Sequence, residues 1–464
     1  MRSTHPLRPS DNRTRPLLLP LCGMLALATP LGCAEQRAPD AAPPAPTTEE
    51  LRVPAVRRGP RETRLPGEYI VVFSEGTTRS LIDSAVNRIQ RAGGDNQLLH
   101  RYAVLPGFAA RLDDTALNGL LREEGLAYVE ENQRIQADTI FTSPADGIDR
   151  VDQRLGHDGH YNDHGLTGAG VHLYIIDSGI NTAHTEFTGR IGAGYTTIAD
   201  GRGVEDCHGH GSHVSSTAAG TVLGMARKAT LHPVRVLDCT GNGTLAGLIA
   251  GVDFVRNHCL QQGGPCVANM SLGGPSSSAL NQAVAQAVNA GITVVAAAGN
   301  EDADACNYSP ASEPRALTVA AIDDQDNRAV FSNWGACVDL FAPGVSILGA
   351  HIGGSNVGAF RNGTSMASPH VAGAAAQYLG ARPETTPAQL EVILKGSASL
   401  QCVAGAKGSP NVLLFSDLNQ GTFDCSTQAP SCAGLCGGPG NGCFCDPGCE
   451  IYQDCCPDFA QVCR

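Results

Sequence analysis

Lysine is scarce in this 464-residue chain, with three residues against 29 arginines, and the formal net charge is −13. So acidic a chain is excluded as a binder of nucleic-acid backbones, which demands a cationic face. The arginine bias itself carries no functional reading. Long apolar runs are also missing. The stretches near 292–298 and 371–379 are too short to span a bilayer, and prolines at 20 and 30 interrupt the run around Leu17–Leu31. Only 17% of residues are charged, and 55 glycines and 28 prolines come without a collagen period, so many tight turns are expected. No cysteine occurs between Cys33 and Cys207, yet the chain holds 18. That number rules out a typical protein of a reducing compartment.

What is present is uneven. Residues 1–140 hold 17 basic and 17 acidic residues, whereas 141–464 hold 15 and 28, so the whole net charge lies in the second part. Residues 1–33 combine Arg2, Arg8, Arg13 and Arg15 with a short apolar run and read as an export signal. Leu31-Gly32-Cys33 leaves two expectations open: ordinary secretion, or a precursor transiently lipid-anchored at Cys33. Residues 34–66, rich in Ala, Pro, Thr and Glu, read as a disordered linker.

Residues 67–140 contain no cysteine. Tyr69–Phe73 and Phe108–Leu112 read as strands, Ala127–Val129 as a third, and Leu81, Ile82, Ala85, Val86 and Ile89 recur at helical spacing. Asp113 or Asp114 caps a second short helix. The order suits a small α+β sandwich with no active site of its own.

Residues 141–419 alternate strands and helices. Val171–Ile176, Val234–Leu237, Val267–Leu272 and Ile292–Ala298 are strand-like, with helical patterns over Leu245–Val255 and after a cap at Ser277 or Ser278. This alternation predicts an α/β fold whose parallel sheet carries helices on both faces, with chemistry at the carboxyl ends of the strands. Asp177 ends one strand, His210 sits in Gly209-His210-Gly211-Ser212-His213, and Ser365 precedes a small-residue helix around His370–Leu379. A serine hydroxyl needs a base to take its proton, histidine does this near neutrality, and a carboxylate fixes the imidazole tautomer. Asn300 ends Ala297-Ala298-Gly299-Asn300, where its NH₂ and the Ser365 backbone N–H are candidate donors to an oxyanion. A lipase would run Ser, Asp, His around a Gly-x-Ser-x-Gly elbow; the order here is Asp, His, Ser. His208, His210 and His213 form a tempting metal cluster, but the His-Glu-x-x-His pattern of a zinc protease is missing.

These motifs, with Asn269-Met270-Ser271-Leu272-Gly273-Gly274 and Gly363-Thr364-Ser365-Met366-Ala367-Ser368-Pro369-His370, resemble in family order the S8-family subtilisin-like serine proteases, nearest to the proteinase K and aqualysin group. Pro66–Phe73, Gly107–Leu112 and Tyr128–Asn132 likewise resemble the inhibitor-type propeptide of such enzymes. The resemblance implies a three-layer αβα catalytic domain with a mostly parallel sheet. It implies a propeptide acting as intramolecular chaperone and inhibitor, cut somewhere within Gln136–Asp149. Asp177, His210 and Ser365 are then catalytic, and Asn300 the oxyanion residue. Ser271, Leu272 and Gly273 would pair with a polypeptide substrate. Ala297, Ala298 and Gly299 would line a roomy, uncharged S1 pocket, so a secreted, monomeric, broad-specificity endopeptidase with apolar or aromatic P1 preference is expected.

No cofactor is expected for the chemistry. Calcium is implied as a structural ion on Asp339 and the carbonyls of Pro314 and Ala316. The resemblance also implies Cys207–Cys239 and Cys306–Cys337 bridges. Cys259 and Cys266 are near enough for a local loop, and Cys402 with Cys425 follows by elimination, although counting alone fixes no connectivity. Two departures stand near His210: Ser215-Ser216 replaces the family's common Ala-Gly. The lone tryptophan is Trp334, and none lies near Gly147.

Residues 420–427 read as a linker. Residues 428–464 carry eight cysteines and too little apolar content for a core, so four disulfides are expected rather than a metal. The run Cys443-x-Cys445-x₃-Cys449-x₅-Cys455-Cys456 resembles a somatomedin B-like module, which implies a protein or surface partner or a stabilising appendage.

Overall fold

The computed structural model describes residues 56–58, 63–137 and 147–427, with two short strands at Pro439–Gly440 and Cys443–Phe444. The leader, Cys33, most of the linker and the rest of the tail module lie outside the described residues.

The first part is an α/β sandwich. Its strands are β1 (Val56–Arg57), β2 (Arg64–Phe73), β3 (Gln97–Arg101), β4 (Gly107–Arg111) and β5 (Leu126–Ala137). Helix α1 (Arg79–Ala92) buries Ile82, Ala85, Val86 and Ile89, the stripe visible in the sequence, and α2 (Asp114–Leu120) is capped by Asp113. Two boundaries move: β1 and the start of β2 lie inside the expected linker, because both pair with β5. The third strand is twelve residues long rather than three. Alternation along β2 explains how this layer docks. Val71 and Phe73 face the sandwich's own core, while Ile70 and Val72 join a cluster that includes residues of the following domain.

That domain begins with the short helix α3 (Gly147–Val151) and contains β6 (His172–Asp177), β7 (Tyr195–Thr196), α4 (His210–Ala219), β8 (Thr230–Arg235), β9 (Asn242–Thr244) and α5 (Leu245–Gln262). There follow β10 (Cys266–Met270), β11 (Leu272–Pro275), α6 (Ser278–Asn289), β12 (Thr293–Ala297), β13 (Tyr308–Ser309), β14 (Leu317–Ile322) and β15 (Leu340–Pro343). Last come β16 (Ile347–Ala350), β17 (Gly358–Arg361), α7 (Thr364–Ala381), α8 (Pro387–Ser397), β18 (Ser399–Leu400), β19 (Val412–Leu413) and β20 (Phe423–Asp424).

Ten strands form one sheet in the order β20-β18-β19-β15-β14-β12-β10-β6-β8-β7, with parallel neighbours except β18 and β19. Leu173 and Ile175 of β6 enter a core shared with α4 and α7 on one face, and Tyr174 and Ile176 enter the core of α5 and α6 on the other. The three-layer αβα expectation therefore holds, and a two-residue period splits each strand between the faces. Strand β20 pairs with β18, and Cys425 is bonded to Cys402, so residues 423–425 complete the sheet instead of forming a linker. Cys207–Cys239, Cys259–Cys266 and Cys306–Cys337 are also bridged. No helix among the described residues is long and apolar enough to cross a membrane.

Candidate active site

Three helix or strand termini carry the expected residues. Asp177 is the last residue of β6, His210 the first of α4 and Ser365 the second of α7, and all three are fully buried. The His210 Nδ1–H donates to the Asp177 carboxylate at 2.8 Å, and Asp177 Oδ1 also accepts the Ser178 N–H at 2.7 Å. With Nδ1 so engaged, Nε2 has no partner and is the available basic lone pair. Glycine is required beside His210: a Cβ on Gly211 would lie 2.2 Å from the Gly179 carbonyl, where the α4 terminus meets the loop after β6.

Asp206 anchors this junction. Its Oδ1 accepts the Ser178 hydroxyl and the N–H groups of His208 and Gly209; its Oδ2 accepts the N–H and hydroxyl of Ser212. Sequence reasoning missed Asp206, although its place four residues before His210 is a local signal. Burial depresses the neighbouring imidazole of His213 to about 3, and its Nε2–H donates to Ile347 O. It also pushes the Arg361 guanidinium below its ordinary range. The two serines that depart from the family pattern are satisfied. Ser215 Oγ donates to Gly211 O, and Ser216 Oγ donates to His213 O while accepting the Ala350 N–H from β16.

Helix α7 begins at Thr364, six residues before the segment expected from the apolar pattern, and so contains Pro369. Proline has no N–H, which leaves the carbonyl of Ser365, four residues earlier, without its helical donor. The Ser271 hydroxyl supplies the missing bond at 2.8 Å, and the Ser365 hydroxyl donates to Ser271 O at 3.0 Å. Ser368 and Asn269 extend this network to Ser271. The Ser271 hydroxyl, just before β11, is thus tied to the first turn of α7, whose N–H groups have no partner within the helix itself. Asn300 completes the site. Its Oδ1 accepts the N–H and hydroxyl of Thr364, and its Nδ2 is buried with no partner.

Leu272 and Gly273, expected to pair with substrate, are paired with the chain's own β5. Strand β5 runs antiparallel between β11 and β9, with Ala137 opposite Leu272, Gln136 opposite Gly273 and Asn242, and Arg134 opposite Thr244. Beneath it lies a cavity of about 350 Å³ lined by Gly273, Ala297, Ala298, Gly299 and Tyr308. Two charged residues, Glu301 and Arg134, also line the cavity, and Glu301 Oε2 accepts a hydrogen bond from Asn333 Nδ2 at 2.7 Å. Glu130 and Asn132 of β5 accept the Ala279 and Ala246 N–H groups, so the first part of the chain caps α6 and α5. Burial raises the Glu130 pKa.

The calcium expectation on Pro314, Ala316 and Asp339 does not fit the donor set. Asp339 Oδ2 accepts the Thr318 N–H, and Oδ1 lies 2.7 Å from Lys395 Nζ, so the carboxylate already faces a cation. Among the described residues, Asp200, Cys207 and Cys239 bring three ligand-type groups together, but the two sulfurs form a disulfide and offer no thiolate.

Comparison with known proteins agrees with this geometry. Residues 168–424 match the Subtilase family, 68–138 the Peptidase inhibitor I9 family and 430–464 the Somatomedin B domain. An extracellular serine proteinase of Thermus sp. (strain Rt41A) is 43% identical over 393 residues, covering 80% of this chain and 94% of that one. Alkaline serine exoprotease A of Vibrio alginolyticus is 39% identical, covering 82% of this chain and 71% of that one. The crystal structure of a cold-adapted subtilisin-like serine proteinase superposes with a TM-score of 0.56 at 46% identity, covering 59% of this chain and 99% of that one. The buried Asp177–His210 pair, the inhibitor-type first domain and these likenesses lead to one conclusion: the chain belongs to the subtilase family of serine endopeptidases.

Proposed function

We propose that the protein is an exported, self-inhibited precursor of an endopeptidase in which Ser365 is the nucleophile, His210 the general base and Asp177 its orienting carboxylate. The observation that carries this reading is β5 lying in register between β9 and β11, as a substrate strand would. Rotation about the Ser365 side chain exchanges the Ser271 carbonyl for His210 Nε2. Oγ then attacks the scissile carbonyl carbon as its proton passes to Nε2, and Asp177 offsets the imidazolium charge. The oxyanion is held by Asn300 Nδ2 and the Ser365 N–H. Collapse expels the amine with the proton from His210, and water repeats the sequence on the acyl-enzyme.

The small residues Ala297, Ala298 and Gly299 support a broad preference for apolar or aromatic P1 side chains in unfolded polypeptides. Residues 67–140 act as chaperone and inhibitor until cut, after which the enzyme works outside the cell as a monomer. The module at 428–464 is assigned a protein or surface partner. Phenylmethylsulfonyl fluoride labelling of the secreted product followed by mass spectrometry tests the reading. The expected result is one label on Ser365 and no processing in Ser365→Ala. A label elsewhere, or a Ser365→Ala chain that still cuts itself, overturns it.

A further inference from the structure

The chain has three lysines, and one of them, Lys395, bonds the Asp339 carboxylate on which the family resemblance implied a calcium ion. Lys395 is delivered there by α8. Its N-terminus is fixed by a reciprocal Thr386–Gln389 capping box, and Leu390 and Leu394 are fully buried against the main core. Helical spacing then sets Lys395 over Glu391, whose Oε1 lies 2.6 Å from Nζ, and Asp339 Oδ1 lies 2.7 Å from the same nitrogen. Asp339 is itself fixed, because its backbone N–H donates to Thr318 O and its Oδ2 accepts the Thr318 N–H.

An ammonium between two carboxylates is a compact point charge on a flexible stem. It fits a site that a planar guanidinium would not, and the chain keeps lysine here despite its preference for arginine elsewhere. Calcium needs six to eight oxygens close around it and tolerates no cation within bonding distance of the same oxygen. We propose that Lys395 Nζ is the resident cation of the Asp339–Glu391 site, replacing calcium, and that calcium enters this site only when the lysine is removed.

The test uses the full chain carrying Ser365→Ala to prevent self-digestion, with equilibrium dialysis and thermal unfolding in excess chelator and in millimolar calcium. In this background Asp339→Asn is expected to leave the number of bound calcium ions unchanged. Lys395→Ala is expected to lower the unfolding temperature in chelator by about 2–6 °C, to gain one bound ion and to recover in calcium. Adding Asp339→Asn to Lys395→Ala should abolish the recovery. If Lys395→Ala refolds only with calcium, that is the same result in stronger form. Loss of one ion on Asp339→Asn alone overturns the proposal, as does a Lys395→Ala chain that is weakened equally with and without calcium.

Discussion

Asn300 holds Thr364 by both of its bonding groups: Oδ1 accepts the Thr364 N–H at 2.9 Å and the Thr364 hydroxyl at 3.0 Å. This fixes the amide plane and leaves Nδ2 as the outward donor, buried and unpaired. A preorganised donor of this kind stabilises charge only as it develops, so its loss appears in kcat. Asn300→Leu is expected to lower kcat about 10²–10³-fold with little change in KM. Thr364→Val removes one of the two orienting bonds and should cost a smaller, roughly fivefold, factor, since one neutral hydrogen bond contributes about 1 kcal/mol. Steady-state kinetics on one peptide amide separates the two; a change confined to KM in Asn300→Leu would exclude the oxyanion role.

The Asp177–His210 pair was legible because one residue ends β6 and the other begins α4, and local sequence marks such places. Asp206 was legible in principle but bears on the site only through the folded α4 terminus. No local pattern reveals that the carboxylate expected to hold calcium faces a cation: Lys395 meets Asp339 across 56 residues, through the docking of α8. The charged cavity wall was missed in the same way, because Glu301 is turned by Asn333 from a loop 32 residues later. The linker boundary failed because Val56 and Arg57 gain a strand only from β5.

A cluster of imidazoles away from the site predicts acid sensitivity. His232 donates from Nδ1–H to Ala193 O and accepts at Nε2 from His172, and its ring stacks on Tyr174. Burial depresses its pKa to about 4, and that of His370 likewise, while His172 and His258 are also lowered. Protonating His232 would set two N–H groups against each other. Because the unfolded pKa is near 6.5, the unfolded chain binds more protons between that value and about 4. The stabilisation is complete above pH 6.5 and is lost as pH falls toward 4. Urea unfolding of the Ser365→Ala chain should show His232→Phe reducing the loss between pH 7 and 5 by roughly 2 kcal/mol. An unchanged slope would remove His232 from this account.

Glu301 predicts a secondary specificity. Glu301 is an exposed residue on the wall of the cavity that Ile135 also lines. An exposed ion pair contributes about 0.2–1 kcal/mol, so Glu301→Gln should lower kcat/KM about two- to fivefold for substrates with Lys or Arg at the position that Ile135 occupies. Phe and Leu substrates should be unaffected, and the difference should shrink in high salt. A peptide library at two ionic strengths reads this directly; an equal loss for Phe and Arg would instead point to a distorted Gly299–Asn333 wall.

The register of β5 predicts the maturation site. Gln136 faces Gly273 and Ala137 faces Leu272, while the next residue toward the nucleophile, Ser271, holds the Ser365 hydroxyl at 3.0 Å. The strand therefore approaches Ser365 with its C-terminal end, and a bond one or two residues beyond Ala137 should be the one cut. N-terminal sequencing and intact mass are expected to give a mature chain starting at Thr139 or Ile140. Ile135 lines the same cavity as Glu301, so Ile135→Asp would bring a second carboxylate there and should slow processing about tenfold or more by desolvation and like-charge repulsion. A start at Gly147 or later, or processing of Ile135→Asp at the normal rate, would mean that the β5 register is not the one from which cleavage occurs.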